Sequence, residues 1–514
     1  MSHDESPTDV PASFHNVVRP TGHAPSATDR DPFAVTRPDP TLYNDDLAPL
    51  PYEKRKWGAF EIFNVWSSDL HSLFGYTLAA TLFTTSGLNG WWTFAGVILA
   101  GVIVMLLVNL TGKASVKYGI PYPVMARVSM GVRGAQFPAL VRAVVAIFWY
   151  GVQTYFASTA ITLLITALTG YTEPDGGDFL GLSSVAWISY FIVVVFQLGL
   201  FLRGIEWVTR YLNWAAPAVY LVMVALVVMI WIHAGNRLLP ELGNVFAGNG
   251  DDGGAPVSAF VSVVGTMVAY FAAVIINYGD FSRFVKTERQ MKRGNLWGLP
   301  VSLAFFSFLT LVITAGTGVL YGKPLTDPTD IVKHVDNTWL TVVAALTFFA
   351  ATVGINMVAN FIPPAYDLSN TNPDIITARA GGVITATAAF VVGALWLPVI
   401  SHLGIAKFVE TLSALLAPFY GILVIDYYLI RKRQLNLEDL FSAEPGTAYY
   451  YSKGWNLRAL AAFGLAAIFS ISTVWAPELK GLTGYAWIFG AALGAALHYL
   501  LMRGGAARAE PAAG

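Results

Sequence analysis

The sequence predicts an all-α polytopic membrane protein, and its composition and hydropathy carry that prediction. The chain has 514 residues, of which 55% are hydrophobic and only 12% are charged. That charged fraction is about half of the roughly 25% found in ordinary globular proteins. Runs of about 20 apolar residues recur along the chain, and each is long enough to cross roughly 30 Å of hydrocarbon as a helix. A soluble core does not explain this pattern.

Twelve apolar spans account for most of the chain. Their approximate bounds are 59–86, 91–112, 137–168, 182–202, 212–235, 257–278, 297–320, 339–361, 380–400, 408–430, 457–475 and 482–502. Basic residues concentrate in alternate connections, for example "RFVKTERQMKRG" after the sixth span and "RKRQ" after the tenth. Because basic connections favour the cytoplasmic side, we predict a multi-pass protein of the plasma (inner) membrane with both termini in the cytoplasm.

The spans group into two halves with flanking tails. We predict a flexible cytoplasmic N-terminal tail at 1–50, a first repeat at 51–235, a second repeat at 257–431, two further helices at 457–502 and a cytoplasmic C-terminal tail at 503–514. Spans one and six both carry polar or small residues inside apolar helix, and they begin on opposite sides of the membrane. This favours a five-plus-five inverted repeat with broken helices at a cavity, although channels and membrane enzymes also contain interrupted helices.

The composition argues against several classes of function. Cysteine is absent and the net charge is -1, so neither a thiolate metal site nor a general affinity for nucleic acid is expected. The eight histidines are scattered without an H-E-x-x-H pattern, which disfavours a membrane-embedded enzyme. A channel would need a pore lined by repeated carbonyls or charged rings. We therefore predict a protein of the lipid bilayer without a cofactor or metal, and a transporter, a channel and a membrane-embedded enzyme remain as alternatives at this point.

The first span contains a carboxylate at membrane depth. Asp69 lies near the middle of "FNVWSSDLHSLFGYTLAATLF", where an unpaired charge is costly. Two interpretations are open: a hydrogen bond to Ser67, Ser68 or a backbone amide at a helix break, or a site for substrate or proton. His71 follows two residues later, and is either a core histidine or, beside a break, a second group at the same cavity.

Two pairs of polar or aromatic residues recur at helical spacing. Trp149 and Gln153 in span three are four residues apart, so they share a helix face. An indole beside an amide suits a flat heterocycle with carbonyl and N–H edges, although packing plus an interhelical hydrogen bond explains the pair equally. Asn356 and Asn360 in span eight repeat the spacing, and either bind a ligand or bond neighbouring helices.

Five motifs together resemble the nucleobase-cation symporter family of permeases. They are "KYGIPYPVMARVSMGVRGAQFPALVRA", "WYGVQT", "NYGDFSRF", "ANFIPPAYDL" and "PFYGILVIDYYLIRKRQLNLEDLF", which occur in this order between residues 50 and 505. The family carries cytosine, uracil, other purines and pyrimidines, allantoin and hydantoins. The resemblance implies twelve transmembrane helices, a ten-helix inverted-repeat core of the amino-acid/sodium symporter type, and alternating access.

The resemblance also assigns substrate contacts. By position, Trp149 would stack on the substrate ring, while Gln153 and Asn360 would bond its edge. Where the family commonly has a tryptophan in span six, this chain has Phe271, preceded by Tyr270. Phe271 would then close an aromatic sandwich opposite Trp149, without an indole N–H.

The first span matches the family less tightly, and this affects the predicted cation site. One register places the carbonyls of Ser68 and His71 at the cation and Ser72 at the substrate; a shift of three residues gives Asp69 the substrate role. Sodium-coupled members have two adjacent hydroxyl residues in span eight, where this chain has Gly354 and Ile355.

Ala351 fits the family's cation site, but the loss of both hydroxyls leaves a poor cage for sodium. We therefore predict proton coupling, with Asp69 as the proton carrier, His71 as the second choice and sodium as the alternative cation.

At the cytoplasmic end of span six, Asp280 either caps a helix or pairs with Arg283, and such a pair is a candidate cytoplasmic gate. For the substrate we favour a uracil-like pyrimidine, because a compact imide suits one glutamine and one asparagine. Allantoin or a hydantoin is the alternative.

Overall fold

The computed structural model describes residues 35–171, 179–247, 257–334 and 337–506. Residues 1–34 of the predicted tail at 1–50, residues 507–514 of the predicted tail at 503–514, and parts of the acidic connections at 172–178 and 248–256 lie outside the described residues. Within these ranges the chain is helical, and its β structure is confined to three isolated bridges.

Twenty-one α-helices follow one another along the described chain. They are α1 (Ala59–Leu70), α2 (Leu73–Thr85), α3 (Gly90–Tyr118), α4 (Tyr122–Met130), α5 (Gln136–Thr169), α6 (Ser184–Leu202), α7 (Ile205–Ala234), α8 (Leu238–Ala247), α9 (Val257–Tyr270), α10 (Ala272–Asn277), α11 (Gly279–Ser282), α12 (Glu288–Leu296), α13 (Ser302–Tyr321), α14 (Pro328–Lys333), α15 (Thr338–Ile355), α16 (Ile362–Thr371), α17 (Ala378–Ala394), α18 (Ile405–Ile425), α19 (Leu437–Leu440), α20 (Leu457–Trp475) and α21 (Ala486–Ala506). Short π-helical turns at Trp297–Val301, Asn356–Phe361 and Asp426–Ile430 join some of them.

Nine helical stretches in the described ranges are long and apolar enough to cross a membrane. Three shorter apolar helices, α2, α9 and α17, lie within predicted spans one, six and nine. Two of these are short because their spans are interrupted: span one is divided between α1 and α2, and span six is divided after Tyr270. The all-helical membrane architecture expected from the sequence is therefore present.

The break in span one has a clear local cause. His71 ends α1, and Ser72 adopts an extended conformation (φ -63°, ψ 153°) in which its hydroxyl accepts a hydrogen bond from the Gly75 N–H. The next free amide, that of Leu73, donates to the Thr352 hydroxyl on α15 at 3.0 Å. A Cβ on Gly75 would lie 2.8 Å from the Asp69 carbonyl oxygen, so the tight turn requires glycine. The Ser72 hydroxyl and the Thr352 hydroxyl thus accept hydrogen bonds from two of the free N–H groups at the start of α2.

The 34-residue helix α5 is the central support of this half of the bundle. It packs against α6, α15, α16 and α17. Gly151 allows the closest approach, since a Cβ there would lie 2.6 Å from the Ala389 carbonyl oxygen on α17. The helix consequently fixes the position of every side chain that it presents to the interior.

Residues 35–57, here called the N-terminal segment, are packed against the bundle, so the prediction of a flexible tail through residue 50 is wrong for 35–50. Leu47 is fully buried. Backbone N–H groups of the segment donate to helix ends and loops: Asp39 to Phe441 O, Leu50 to Gly119 O and Trp57 to Phe284 O. Prolines restrict the backbone of this segment in the unfolded protein. Less conformational entropy is therefore lost when the segment becomes ordered.

Candidate functional site: a buried aromatic cluster at the helix breaks

The two interrupted spans meet α5 in the interior of the bundle. Asp69 lies in the last turn of α1, and Tyr270 ends α9. Trp149 and Gln153 lie on neighbouring turns of α5. The four side chains belong to residues that are at most 5% exposed. The structure therefore brings together residues that the sequence predicted for substrate binding and for proton coupling.

Asp69 is held by Tyr270. The Tyr270 hydroxyl donates to the Asp69 carboxylate at 2.6 Å and also lies 3.1 Å from the Asp69 carbonyl oxygen. The Ser72 hydroxyl is 3.4 Å from the same phenol oxygen, and the Gln153 amide lies beside it. Asp69 and Ser72, the two first-span candidates for a substrate contact, thus both face Tyr270. The two registers considered above therefore point to the same side of the first span.

A ring of aromatic side chains encloses Trp149. Phe74 on α2, Tyr270 on α9 and Phe408 on α18 all meet the indole edge to face, at centroid distances of 5.1, 5.6 and 5.4 Å. Trp396 extends the cluster through Phe408 at 5.6 Å. Edge-to-face contacts of this kind stabilise the aromatic cluster.

Sequence reasoning missed Phe74, Phe408 and Trp396. A possible signal for Phe74 was its place two residues after the helix break, at the start of α2. Phe408 and Trp396 lie near the boundaries of their apolar spans, where no local pattern distinguishes a pocket residue from a core residue.

Phe271 occupies a different place from the one expected. Its ring packs edge to face against Trp66 on α1 at 5.9 Å and against its neighbour Tyr270 at 4.8 Å. Among the described ring contacts, Trp149 meets Tyr270 and not Phe271. The placement of Phe271 opposite Trp149 is therefore corrected in this structure: the backbone at the end of α9 turns Tyr270 toward Trp149 and Phe271 toward Trp66.

The two span-eight asparagines form a short chain of hydrogen bonds. Asn356 donates to the Tyr150 carbonyl, the Thr154 hydroxyl and the Gln197 side chain, all within 3.1 Å. The Asn360 amide then donates to Asn356 Oδ1 at 3.1 Å. Asn356, directly after α15, therefore links this helix to α5 and α6. Asn360 is the last member of this chain of hydrogen bonds.

A buried arginine supports the turn that carries Asn360. The Arg142 guanidinium donates to the Ala359 carbonyl at 3.0 Å, within the π-helical turn, and lies 3.5 Å from the Asp367 carboxylate. Both ionic side chains are fully buried. A π-helical turn leaves backbone groups without their usual partners, and Arg142 satisfies one of them.

The side chains of Ser68 and His71, whose carbonyls the sequence predicted as cation ligands, point away from the Asp69 carboxylate. The His71 ring bonds the Ser67 carbonyl through Nδ1 at 2.8 Å and packs against Tyr220 and Phe306, so it faces away from Tyr270. The Ser68 hydroxyl is buried without a hydrogen-bond partner and faces Gly354 on α15. Ala351 is buried one turn from Gly354. These contacts are those of a core histidine beside a closely packed helix pair.

For Asp280 the sequence left open a helix cap or a pair with Arg283, and the contacts of the described residues include a hydrogen bond at a helix start but no ion pair between the two. Asp280 instead accepts a hydrogen bond from the Tyr122 N–H at 2.7 Å, at the start of α4. Arg283 donates to the Asp46 carbonyl at 3.1 Å and lies over the Tyr366 ring. The side chains point to different partners because the N-terminal segment, which the sequence placed in a free tail, fills the space beside Arg283.

Comparisons with known proteins identify the family of this chain. A family model described as permease for cytosine/purines, uracil, thiamine, allantoin matches residues 49–501. The allantoin permease of Bacillus subtilis is 34% identical over 467 residues, covering 90% of this chain and 93% of that protein. The purine-uracil permease NCS1 of Arabidopsis thaliana is 30% identical over 430 residues, covering 82% and 70%.

Among solved structures, the nucleobase-cation-symport-1 family transporter Mhp1, in a closed conformation with bromovinylhydantoin bound, superposes with a TM-score of 0.73. It is 23% identical, and the match covers 91% of this chain and 96% of that one. This similarity shows the fold, while the family model and the relatives identify the kind of protein. The chain belongs to the family of permeases for cytosine/purines, uracil, thiamine and allantoin, the nucleobase-cation symporters, and is a multi-pass membrane transporter rather than an enzyme.

Proposed function

We propose that this protein imports a small heterocycle with an imide or ureide edge, coupled to protons. The observation that carries the proposal is the hydrogen bond from Tyr270 to Asp69 inside the aromatic pocket that holds Trp149 and Gln153. A carboxylate at membrane depth is costly unless it is paired, hydrogen-bonded or protonated. The Tyr270 hydroxyl contacts Asp69, and its ring borders the proposed substrate pocket. Proton binding and substrate binding would therefore both act on Tyr270.

The polar groups at the pocket suit the edge of a planar heterocycle. Gln153 Oε1 is buried without a hydrogen-bond partner, so it is available to a substrate N–H. Asn360 is nearly buried, and its carboxamide oxygen can accept in the same way. Trp149 would supply the stacking face. Phe271 would have to turn from Trp66 to complete a sandwich, so we assign that role first to Tyr270.

Two substrate classes fit these groups. The compact imide of uracil suits one glutamine and one asparagine, as the sequence indicated. The 34% identity to an allantoin permease favours the ureide, whose five-membered ring presents a similar edge. Both are therefore candidates, and a direct comparison of uptake decides between them.

We further propose twelve transmembrane helices, a five-plus-five inverted repeat, cytoplasmic termini and alternating access in the plasma (inner) membrane. The breaks at His71 and Phe271, five spans apart, support the repeat. Coupling requires that the proton binds the substrate-loaded protein more tightly than the empty protein, and by reciprocity the substrate must raise proton affinity equally.

The first test is uptake of labelled allantoin and labelled uracil by cells that lack their own carriers, with sodium present or replaced by choline. We expect saturable uptake of at least one substrate that persists without sodium. Gln153→Ala should lower uptake by about tenfold or more, because a lost hydrogen bond leaves a buried polar partner unpaired at a cost of about 1–3 kcal/mol. Gln434→Ala, at an exposed glutamine outside the pocket, should have no effect.

Other results would contradict specific parts of the proposal. Uptake that stops in choline would reject proton coupling in favour of sodium. Normal uptake by Gln153→Ala would reject the pocket. Failure of a correctly inserted protein to transport either compound would reject both substrate classes.

A further inference from the structure

An apolar groove lies between α6 and α7, far along the chain from the pocket residues. Its volume is about 540 Å³. The residues that line it are Val195, Phe196, Gly199, Leu200, Arg203, Trp207, Arg210, Tyr211 and Trp214. Phe196, Trp207 and Trp214 are all exposed on the outside of the bundle. Apolar and indole surface of this kind is expected where a helix pair meets lipid near the membrane–water interface.

Two arginines stand at one end of this groove. The Arg203 and Arg210 guanidinium carbons lie 5.3 and 5.7 Å from the centroid of Trp207, so the indole holds both cations close together. In the described part of the chain, neither arginine lies within ion-pair distance of a carboxylate. The nearby Glu206 is paired with Lys56 at 2.6 Å. The groove therefore ends in two arginines for which the described residues supply no ion pair, and the carboxylate near Arg210, Glu206, is already paired with Lys56.

A third polar group points to a ligand at the same place. Tyr211 also lines the groove, and its hydroxyl is buried and has no hydrogen-bond partner among the described residues. Buried hydroxyls without partners are uncommon and call for a specific explanation. A phosphate oxygen or a glycerol ester at the mouth of the groove would satisfy it.

We propose that this groove binds an anionic glycerophospholipid. The phosphate would bind Arg203 and Arg210, and an acyl chain would lie along Val195, Phe196 and Trp214. The charge distribution predicts that the connection between α6 and α7 is cytoplasmic, which is the leaflet rich in anionic lipid. Basic pockets between transmembrane helices on that side are suited to such headgroups.

A lipid fits better than free phosphate because most of the groove is apolar. Inorganic phosphate would neutralise the arginines but would leave the hydrocarbon surface of Phe196 and Leu200 without cover. The site also adjoins a helix that touches the first span: Tyr220 on α7 packs against His71 at 4.2 Å. A lipid bound here would therefore stabilise the position of α7 beside the break between α1 and α2.

The test measures the thermal stability of the full-length protein purified in a mild non-ionic detergent. Phosphatidylglycerol, phosphatidylcholine and inorganic phosphate are added separately, and mass spectrometry of the intact protein counts retained lipid. We expect phosphatidylglycerol alone to raise the Tm. Arg203→Gln/Arg210→Gln should lower the affinity for phosphatidylglycerol about thirtyfold, since each basic residue near an anionic lipid contributes roughly fivefold. Arg458→Gln, an exposed arginine at the start of α20, is the matched control and should bind normally.

The remaining outcomes overturn the proposal. Equal stabilisation by phosphatidylcholine would show that the headgroup charge is not recognised. Equal stabilisation by phosphate would show a simple anion site. If Arg458→Gln weakens binding as much as the double variant, the effect belongs to the general surface charge and not to the groove. Should the double variant be unstable, Arg203→Lys/Arg210→Lys must retain binding of phosphatidylglycerol, or the assignment fails.

Discussion

Replacing Arg142 by methionine is expected to destabilise the folded transporter by about 3–5 kcal/mol, the usual cost of removing one partner of a buried ion pair. Arg142 and Asp367 are both fully buried, so the variant leaves a carboxylate without its counter-ion. The change also removes the hydrogen bond to the Ala359 carbonyl, next to Asn360. The measurement is the denaturation midpoint of the purified protein, together with the yield of membrane-inserted protein.

Two controls separate burial from charge in this experiment. The exposed pair between Lys333 and Asp330, at 3.0 Å, offers a matched comparison, and Lys333→Met should cost less than about 1 kcal/mol. The double variant Arg142→Met/Asp367→Leu should recover much of the lost stability, because an apolar pair of similar volume replaces both charges. An unchanged midpoint for Arg142→Met alone would contradict the buried pair.

Removing the charge of Asp69 is expected to have the largest effect on transport. Asp69→Asn keeps the size of the side chain but cannot carry a proton, so uptake should fall roughly 10- to 100-fold and lose its dependence on external pH. The range follows from about 1.5–3 kcal/mol for a hydrogen bond to a charged group, at tenfold per 1.36 kcal/mol. The measurement is initial uptake at pH 6 and pH 8 in sodium-free medium, where the native protein should be faster at pH 6.

His71 and Tyr270 provide the discriminating variants. His71→Gln should retain the pH dependence, because the imidazole faces Tyr220 and Phe306 rather than the pocket. Tyr270→Phe keeps the ring contact with Trp149 but removes the hydrogen bond to Asp69, so it should weaken the coupling between substrate and proton. If His71→Gln abolishes the pH dependence and Asp69→Asn does not, the proton carrier has been assigned to the wrong residue.

The features that were readable from the sequence are those set by local pattern. Hydropathy located the helices, since apolar length is what the membrane requires. The polar run "NVWSSDLHS" indicated the break that the structure places at His71 and Ser72. The i, i+4 spacing placed Trp149 and Gln153 on neighbouring turns of one helix, and the hydrogen bond between Asn356 and Asn360 follows from the same rule.

The features that were missed depend on contacts between distant parts of the chain. The hydrogen bond between Asp69 and Tyr270 joins residues 201 positions apart, and no local signal reports it. Phe271 and Tyr270 are adjacent, so only the packing of α9 decides which ring meets Trp149. The ion pair of Arg142 with Asp367 was hidden for the same reason, because the two residues are 225 positions apart.

The N-terminal segment determines where the chain can be shortened for study. Asp46 accepts a hydrogen bond from the Ala378 N–H at 3.0 Å and offers its carbonyl to Arg283, so it contacts the start of α17 and the end of α11. A deletion that stops before residue 35 leaves these contacts in place. A deletion that continues to residue 57 strips partners from the Gly119 and Phe284 carbonyls and uncovers Arg283. Affinity tags and fusion partners therefore belong ahead of residue 35, and residues 257–431 expressed alone would lack the segment that covers Arg283.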